Sequence, residues 1–188
     1  MPDVVRVLLR SPLLIVLVVG SVVWTGCDLA SAGGTAILNA DSSVPPTVRH
    51  RFEYTAGDAT GAGQVEVPST VQSEGLDAIL SQNGFSRRDV VSARVDSVRV
   101  DRLSAPALRE TELFLGADAD GPLVGRVAFQ SNGASSIVDD TRRTVTSAVR
   151  NGAETLFGRF RVEDPSNIPD GGGRVRAVVY YRLEVEGV

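Results

Sequence analysis

The most constraining feature of this 188-residue chain is a two-residue alternation of apolar and charged side chains near its C-terminus. Apolar residues occupy the odd positions Val175, Ala177, Val179, Tyr181, Leu183 and Val185. Arginine and glutamate dominate the even positions, together with Val178 and Tyr180. Successive side chains of a β-strand point to opposite faces, so the pattern predicts a long strand with one buried and one solvated face. Such a strand needs an antiparallel sheet and a second apolar layer to cover it.

The same alternation recurs in shorter segments along the chain. We predict further strands around 48–55, 65–67, 89–103, 108–115, 123–130 and 156–163. The strands at 108–115 and 123–130 are separated by a loop rich in glycine and aspartate, which is typical of a hairpin connection. Alternating segments separated by turn residues are typical of a chain that is mainly β.

The predicted strand at 89–103 changes phase midway. Its apolar residues are Val91, Ala93 and Val95 at odd positions, but Val98 and Val100 at even positions. A β-bulge inserts one extra residue and shifts the side-chain phase by one position. We therefore predict a bulge near Asp96-Ser97 that restores one continuous buried face.

Two segments carry helical patterns instead. Ser69 followed by Gln72 resembles a helix N-cap box, and Asn83-Gly84 is a typical stop signal, so we predict a short helix over 70–82. Its apolar face consists of Leu76, Ile79 and Leu80, onto which Phe85 folds back. A second helix is predicted over 139–150, with Asp139 and Asp140 at its positive N-terminus.

These elements favour an antiparallel β-sandwich of immunoglobulin-like shape, with about seven strands and two short helices. Residues 48–188 have the length of a single domain. Residues 27–47 are rich in small and polar side chains and contain Pro45-Pro46 near their end, so we interpret them as a flexible tether. Ordered structure is expected to begin near Val48.

The first 26 residues have the layout of a secretory signal peptide. Arg6 and Arg10 precede a charge-free apolar run over 13–24, and small residues follow it. The run is shorter than the about 20 residues with which a helix crosses a bilayer, which favours a cleaved signal. An uncleaved anchor is the alternative, in which the two arginines snorkel and extend the span.

The end of this segment, Thr25-Gly26-Cys27, resembles the lipobox of bacterial lipoprotein precursors, although Trp24 stands where that family usually has an aliphatic residue. The resemblance covers residues 1–27 only. It implies cleavage before Cys27, attachment of a diacylglycerol and acyl chains such as palmitate to that residue, and a membrane-anchored protein of the cell envelope on the exported side. Cys27 is the only cysteine, so it forms no disulfide within the chain.

Catalytic side chains are few. His50 is the only histidine and lies on the apolar side of its predicted strand, which favours a core histidine over a catalytic base or metal ligand. One histidine and one cysteine also exclude zinc sites of the usual spacing. We therefore predict no catalytic residue, no cofactor and no enzymatic activity. The alternative enzyme class is a hydrolase that uses two carboxylates facing each other across a cleft.

The candidate metal ligands are aspartates in two loops. Asp118 and Asp120 resemble a fragment of a calcium loop, but the full twelve-residue spacing with its terminal glutamate is absent. We interpret them as part of a solvated turn, and Asp164, Asn167 and Asp170 in the last long loop have the same status.

Nucleic acid is not an expected partner. The net charge is −4 and no basic stripe is interleaved with aromatic residues. Several arginines nevertheless lie on polar strand faces or in a helix: Arg142, Arg143, Arg159, Arg161, Arg174 and Arg176. We interpret them as a salt-bridged, solvated surface, with an anion- or headgroup-binding face as the alternative.

The sequence thus predicts an exported, lipid-tethered lipoprotein with a non-enzymatic β-domain that binds or scaffolds an envelope protein or ligand. A module for lipids or other hydrophobic ligands is the alternative, and it requires an apolar cavity near residues such as Leu76, Phe85 and Val145.

Overall fold

The computed structural model describes residues 34–105, 108–130, 135–139 and 143–187. The predicted signal peptide over 1–26, its Trp24 and the lipidation residue Cys27 lie outside the described residues.

Within these ranges the chain forms ten β-strands and two short α-helices. The strands are β1 (Thr35–Leu38), β2 (Thr47–Tyr54), β3 (Gln64–Pro68), β4 (Thr70–Val71), β5 (Val90–Ser104), β6 (Leu108–Leu115), β7 (Leu123–Phe129), β8 (Ser135–Asp139), β9 (Leu156–Val162) and β10 (Gly173–Glu186). The helices are α1 (Leu76–Gln82) and α2 (Thr146–Arg150).

The strands build two five-stranded antiparallel sheets. In the first sheet, the long strand β10 pairs with β5 on one side and with β2 and β1, placed end to end, on the other, while β4 extends the sheet beyond β2. In the second sheet the order is β3-β9-β6-β7-β8. The prediction of a mainly β, antiparallel sandwich is confirmed, with more strands than the seven expected.

One apolar core lies between the sheets and draws on residues from Leu38 to Val185. At its centre the rings of Phe52 and Phe160 meet edge to face, with centroids 5.1 Å apart, and the ring of Tyr54 stacks on Phe160 at 5.5 Å. Gly158 leaves the space that these rings occupy, because a Cβ built there would lie 2.5 Å from Phe160. Close packing of this kind is typical of a protein interior.

The bulge predicted near Asp96 is confirmed. Tyr180 of β10 pairs with Ser97, whereas the next residue, Tyr181, pairs with Val95, so Asp96 has no partner across the ladder. The extra residue lets Ala93 and Val95 on one side, and Val98 and Val100 on the other, face the core. The placement of Val91 on this buried face was wrong: Val91 is 43% exposed, because a second register shift between Glu184 and Val185 leaves it unpaired and puts Val90 in the core instead.

Ordered structure begins earlier than expected. Part of the predicted tether, Thr35–Leu38, forms β1 and pairs with β10 from Glu186 to Leu183. The reason is the length of β10, which extends past the end of β2 and offers unpaired backbone groups that β1 satisfies. Residues 39–46 then form a turn and a connection rather than an extended linker.

The first helix starts later than predicted. Ser69 is not its N-cap, because Thr70–Val71 pair with β2 as β4, and Gly75 occupies the N-cap position of α1. The predicted apolar face is confirmed, since Leu76, Ile79 and Leu80 are all buried. Backbone hydrogen bonds to the edge of β2 therefore outweigh the preference of Ser69 for a helix N-cap.

The second helix is also shorter than predicted. Asp139 ends strand β8, which pairs with β7, and is not a helix cap; Asp140 lies outside the described residues. Val145 then donates its backbone N–H to the carbonyl of Ala93, and α2 begins only at Thr146. Hydrogen bonds to neighbouring strands thus engage Asp139 at the start of the predicted helix and Arg143 and Val145 in its middle.

Candidate functional site

The outward face of the first sheet carries a pair of arginines in register. On β10, Val178 is paired with Arg49 of β2 on one side and with Arg99 of β5 on the other. Two strand spacings separate the arginine backbones, or about 10 Å. Val178 between them is 3% exposed, while both arginines are exposed. The row therefore places two long cationic side chains on either side of an apolar floor.

This row lies in a groove of about 550 Å³, within the range of small-molecule sites. Thr47 and Tyr180, the next pair along β2 and β10, extend its floor. Its walls are Ala40 and Pro45 from the connection after β1, Ser73 and Glu74 from the segment before α1, and Ile79 of α1. The groove thus combines an apolar floor with polar and cationic margins.

Hydrogen bonds hold both walls in place. The Ser73 hydroxyl accepts from the backbone N–H of Arg49 at 3.0 Å, which fixes the segment before α1 to β2. On the other wall, the Asn83 amide donates to the carbonyl of Val44 at 3.2 Å, and Tyr181 N–H donates to the carbonyl of Pro46 at 2.9 Å. The groove is therefore preformed in the folded chain.

Carboxylates match only part of the positive charge of this face, where Arg51 pairs with Glu53 at 2.5 Å and Arg94 with Asp96 at 3.5 Å. Asp101 is shared, since its Oδ2 lies 2.7 Å from Arg176 and 3.2 Å from Arg99. Arg49 has no carboxylate partner among the described residues. Glu74, an acid of the groove wall, accepts from the side chain of Gln82 at 2.6 Å instead.

The outward face of the second sheet provides the contrast. Three glutamates and three arginines interlock across β3, β9, β6 and β7, with the contacts Arg126–Glu110 at 2.6 Å, Arg126–Glu112 at 2.7 Å, Arg159–Glu66 at 2.7 Å, Arg159–Glu112 at 3.3 Å and Arg161–Glu110 at 3.8 Å. The interpretation of Arg159 and Arg161 as part of a salt-bridged surface is confirmed. The same chain therefore neutralises one sheet face and leaves surplus positive charge on the other.

The remaining predicted arginines divide between several environments. Arg176 pairs with Asp101, and Arg174 donates to the Ser104 hydroxyl at 3.2 Å. Arg143 accepts at its carbonyl from the N–H of Val95, and Arg142 lies outside the described residues.

His50 is a core residue. Its place on the apolar side of the alternating strand predicts this. Its side chain is fully buried on β2, and its Nδ1 lies 3.1 Å from the hydroxyl of Ser69. Among the described residues its Nε2 has no hydrogen-bond partner. Burial lowers the pKa of His50 to about 4, so the ring is neutral near pH 7.

The aspartates of the two acidic turns accept hydrogen bonds from backbone N–H groups within the same turn. The carboxylate of Asp118 accepts from the backbone N–H of Asp120 at 3.0 Å, and that of Asp164 accepts from the N–H of Ser166 at 2.8 Å. The Ser166 hydrogen bonds hold the pKa of Asp164 below its usual value. In the part of the chain that the structure describes, no three metal-ligating side chains come together, at Asp118 and Asp120 or elsewhere.

The residues proposed for an apolar cavity belong to the core. Leu76 and Val145 are buried in it, and Phe85 packs against its edge. The groove on the first sheet is formed by other residues, among them the neighbouring helix residue Ile79.

A second polar cluster ties the helices together. Arg87 donates to Asp77 at 2.5 Å, to Glu154 at 3.0 Å and to the carbonyl of Val149. Glu154 in turn accepts from the backbone N–H of Leu76 at 3.2 Å, at the start of α1. Every charge in this cluster is engaged within the fold, so we assign it a structural role.

Sequence reasoning did not single out Arg49, Arg99 or Tyr180. Each shows the outward phase of its own strand, which was the available signal. Their convergence depends on which strands flank β10, and that order is a property of the sheet.

Comparisons with known proteins find no matching family model, curated protein or solved structure. Within the described ranges, neither α1 nor α2 nor any other helix has the length and apolar character of a transmembrane span.

Proposed function

We propose that this chain is an exported lipoprotein, tethered to a membrane of the cell envelope through Cys27, whose β-sandwich is a non-enzymatic binding module. The leader supports export, and the lipobox-like Thr25-Gly26-Cys27 supports the anchor. The groove between Arg49 and Arg99 is the surface that binds.

The binding role is supported by one observation: the arginines on the outward face of the second sheet are matched by glutamates, whereas those on the first sheet are matched only in part. On the first sheet Arg51 pairs with Glu53 and Arg176 with Asp101, but Arg49 has no carboxylate partner among the described residues. Folding alone gives no reason to keep surplus arginines on this face when glutamates match those on the other face. Retention of binding residues at a cost in stability is a common compromise in proteins.

Binding is favoured over catalysis because the described residues lack a poised acid, base or nucleophile. His50 is buried and is not among the residues that line the groove. Arg87 engages Asp77 and Glu154, the carboxylates of the half-buried cluster.

The anchor and the domain are close in sequence. Eight residue steps separate Cys27 from Thr35 at the start of β1. A fully extended chain spans at most about 3.6 Å per residue, so the tether keeps this end of the sandwich within about 30 Å of the lipid attachment point. The proposed module is therefore held near the membrane surface, with much less reach than a tether ending at Val48 would allow.

The anchor is tested by expressing the full chain in a lipoprotein-processing bacterium and measuring the mass of the purified N-terminus. We expect a chain that starts at Cys27 with added diacylglycerol, incorporates labelled palmitate and fractionates with membranes. Cys27→Ser is the matched control and should lose both the label and the processing. An unmodified chain beginning at Met1 would refute the lipoprotein assignment.

A further inference from the structure

We infer that the groove binds a single-chain anionic amphiphile, with the acidic head between Arg49 and Arg99 and the aliphatic chain against the apolar wall. The inference rests on the proposed binding role of the groove and specifies the ligand class.

The head-group end is defined by the arginine row. Arg99 shares its only carboxylate partner among the described residues with Arg176, and Arg49 has none there. Two guanidinium groups on opposite sides of one strand converge readily on a phosphate or carboxylate, which accepts several charge-assisted hydrogen bonds. Thr47, on the same outward face as Arg49, adds a hydroxyl to the groove lining.

The chain-binding part is defined by the groove's apolar lining. Val178 forms the floor between the arginines, and Tyr180 continues it along β10. Pro45 and Ile79 face the groove from the two walls. Val178 and Ile79 are already buried, so the apolar surface that an aliphatic chain would remove from water belongs to the exposed Pro45 and the half-buried Tyr180.

The shape favours a free amphiphile over a phospholipid within a bilayer. The floor is recessed between the connection after β1 and the segment leading into α1, both held by hydrogen bonds. A head group embedded in a flat membrane surface would have to reach past these walls, while a monomeric molecule enters the groove lengthwise.

The test uses residues 27–188 with Cys27→Ser, a chain that contains every core residue of the part that the structure describes. Binding of octyl phosphate, inorganic phosphate and octanol is measured by calorimetry, and the site is located by NMR shifts. We expect saturable binding of octyl phosphate alone, with shifts at Arg49, Arg99 and Tyr180. Equal binding of inorganic phosphate, or of octanol, would overturn the amphiphile assignment.

The matched variants are Arg49→Gln and Arg99→Gln in the groove and Arg161→Gln on the second sheet, where the side chain is 69% exposed. Each groove variant should weaken octyl phosphate binding about tenfold, the loss expected for one charge-assisted contact, and the control should not. Equal affinity in all variants would overturn the site. Binding to phosphatidylglycerol vesicles without binding of monomeric octyl phosphate would overturn the choice of a free ligand. A failed acylation assay refutes the anchor and leaves these results unchanged, so the two failures are distinguishable.

Discussion

The guanidinium of Arg87 donates to the carboxylate of Glu154 at 3.0 Å, although 67 residues separate them in the sequence. Both side chains are only 14% exposed. Through this pair, the turn before β5 is tied to the loop after α2, and Glu154 reaches the first N–H of α1. The hydroxyl of Tyr181 is buried nearby, and burial, followed by the negative charge of Glu154, raises the pKa of that phenol above its usual range.

Replacing Arg87 should therefore destabilise the fold. Arg87→Gln removes the cationic partner of Glu154, which keeps only the backbone N–H of Leu76, and leaves the carbonyl of Val149 without its side-chain donor. We expect a loss of about 2–4 kcal/mol in the free energy of unfolding, measured with urea. Arg88→Gln is the matched control, because Arg88 is exposed and should change stability by less than about 0.5 kcal/mol. An Arg87→Gln protein as stable as this control would contradict a structural role for the pair.

The buried His50 should make stability depend on pH below neutrality. Its folded-state pKa of about 4 lies below the ordinary value of 6.5, so the unfolded chain binds the proton more readily. The stabilisation from a neutral ring is complete above about pH 6.5 and is lost as the pH falls toward 4. Between pH 7.5 and 4.5 this loss amounts to roughly 2–3 kcal/mol.

The measurement is the free energy of unfolding of the wild type and of His50→Gln across this pH range. The variant should show a flatter dependence between about pH 6.5 and 4.5, because the group that protonates on unfolding is gone. The carboxylates remain in both proteins, so the difference between the two curves isolates the histidine. Parallel curves would show that His50 does not titrate differently in the two states.

The space beside the central aromatic rings should not accept a methyl group. In Gly158→Ala the new Cβ would lie 2.5 Å from Phe160 and 2.9 Å from Phe52, so the rings must shift. Overpacking of this kind costs about 1–3 kcal/mol, which lowers the Tm by several degrees in a domain of this size. Gly171→Ala is the control, since its Cβ would meet nothing within 4 Å. Equal Tm values for the two variants in calorimetry would contradict this account of the core.

The bulge in β5 predicts an unusual tolerance to deletion. Removing Asp96 leaves Val95 and Val98 still pointing inward, because the deleted residue is the one without a partner on β10. We expect the deletion to cost less than about 1.5 kcal/mol, since pairing becomes regular and the core is unchanged. Deleting Arg99 instead reverses the faces of the following residues, so Val100 turns outward.

Urea unfolding of the two deletion variants provides the comparison. The Arg99 deletion should be much less stable than the Asp96 deletion, and its circular dichroism should show a loss of native structure. Similar losses in both would mean that the register of β5 is not set by the buried face.

Much of the strand structure follows from local pattern. The alternation from Val175 to Val185 identifies β10 and its buried face, and the phase change after Val95 locates the bulge, because side-chain direction in a strand depends only on position along it. The burial of His50 follows from the same kind of alternation. The lipobox resemblance at Cys27 stays a prediction, carried by sequence alone.

The failures of local pattern share one cause. Ser69 and Asp139 have the residue types of helix caps, yet the backbone next to Ser69 pairs as β4 and Asp139 itself belongs to β8. Thr35–Leu38 lie in a segment with the composition of a linker and form β1 because β10 extends beyond β2. In each case, hydrogen bonds to a strand distant in sequence outweigh a local preference worth about 1 kcal/mol.

The sequence by itself determined the class of fold, the phase of its main strands and the candidate anchor, because these depend on periodicity and on residues adjacent in the chain. Only the tertiary structure decided the site. Arg49 and Arg99 are 50 residues apart and become neighbours of Val178 through the order of the strands in the first sheet. That order is fixed by long-range pairing and burial, which no local pattern encodes.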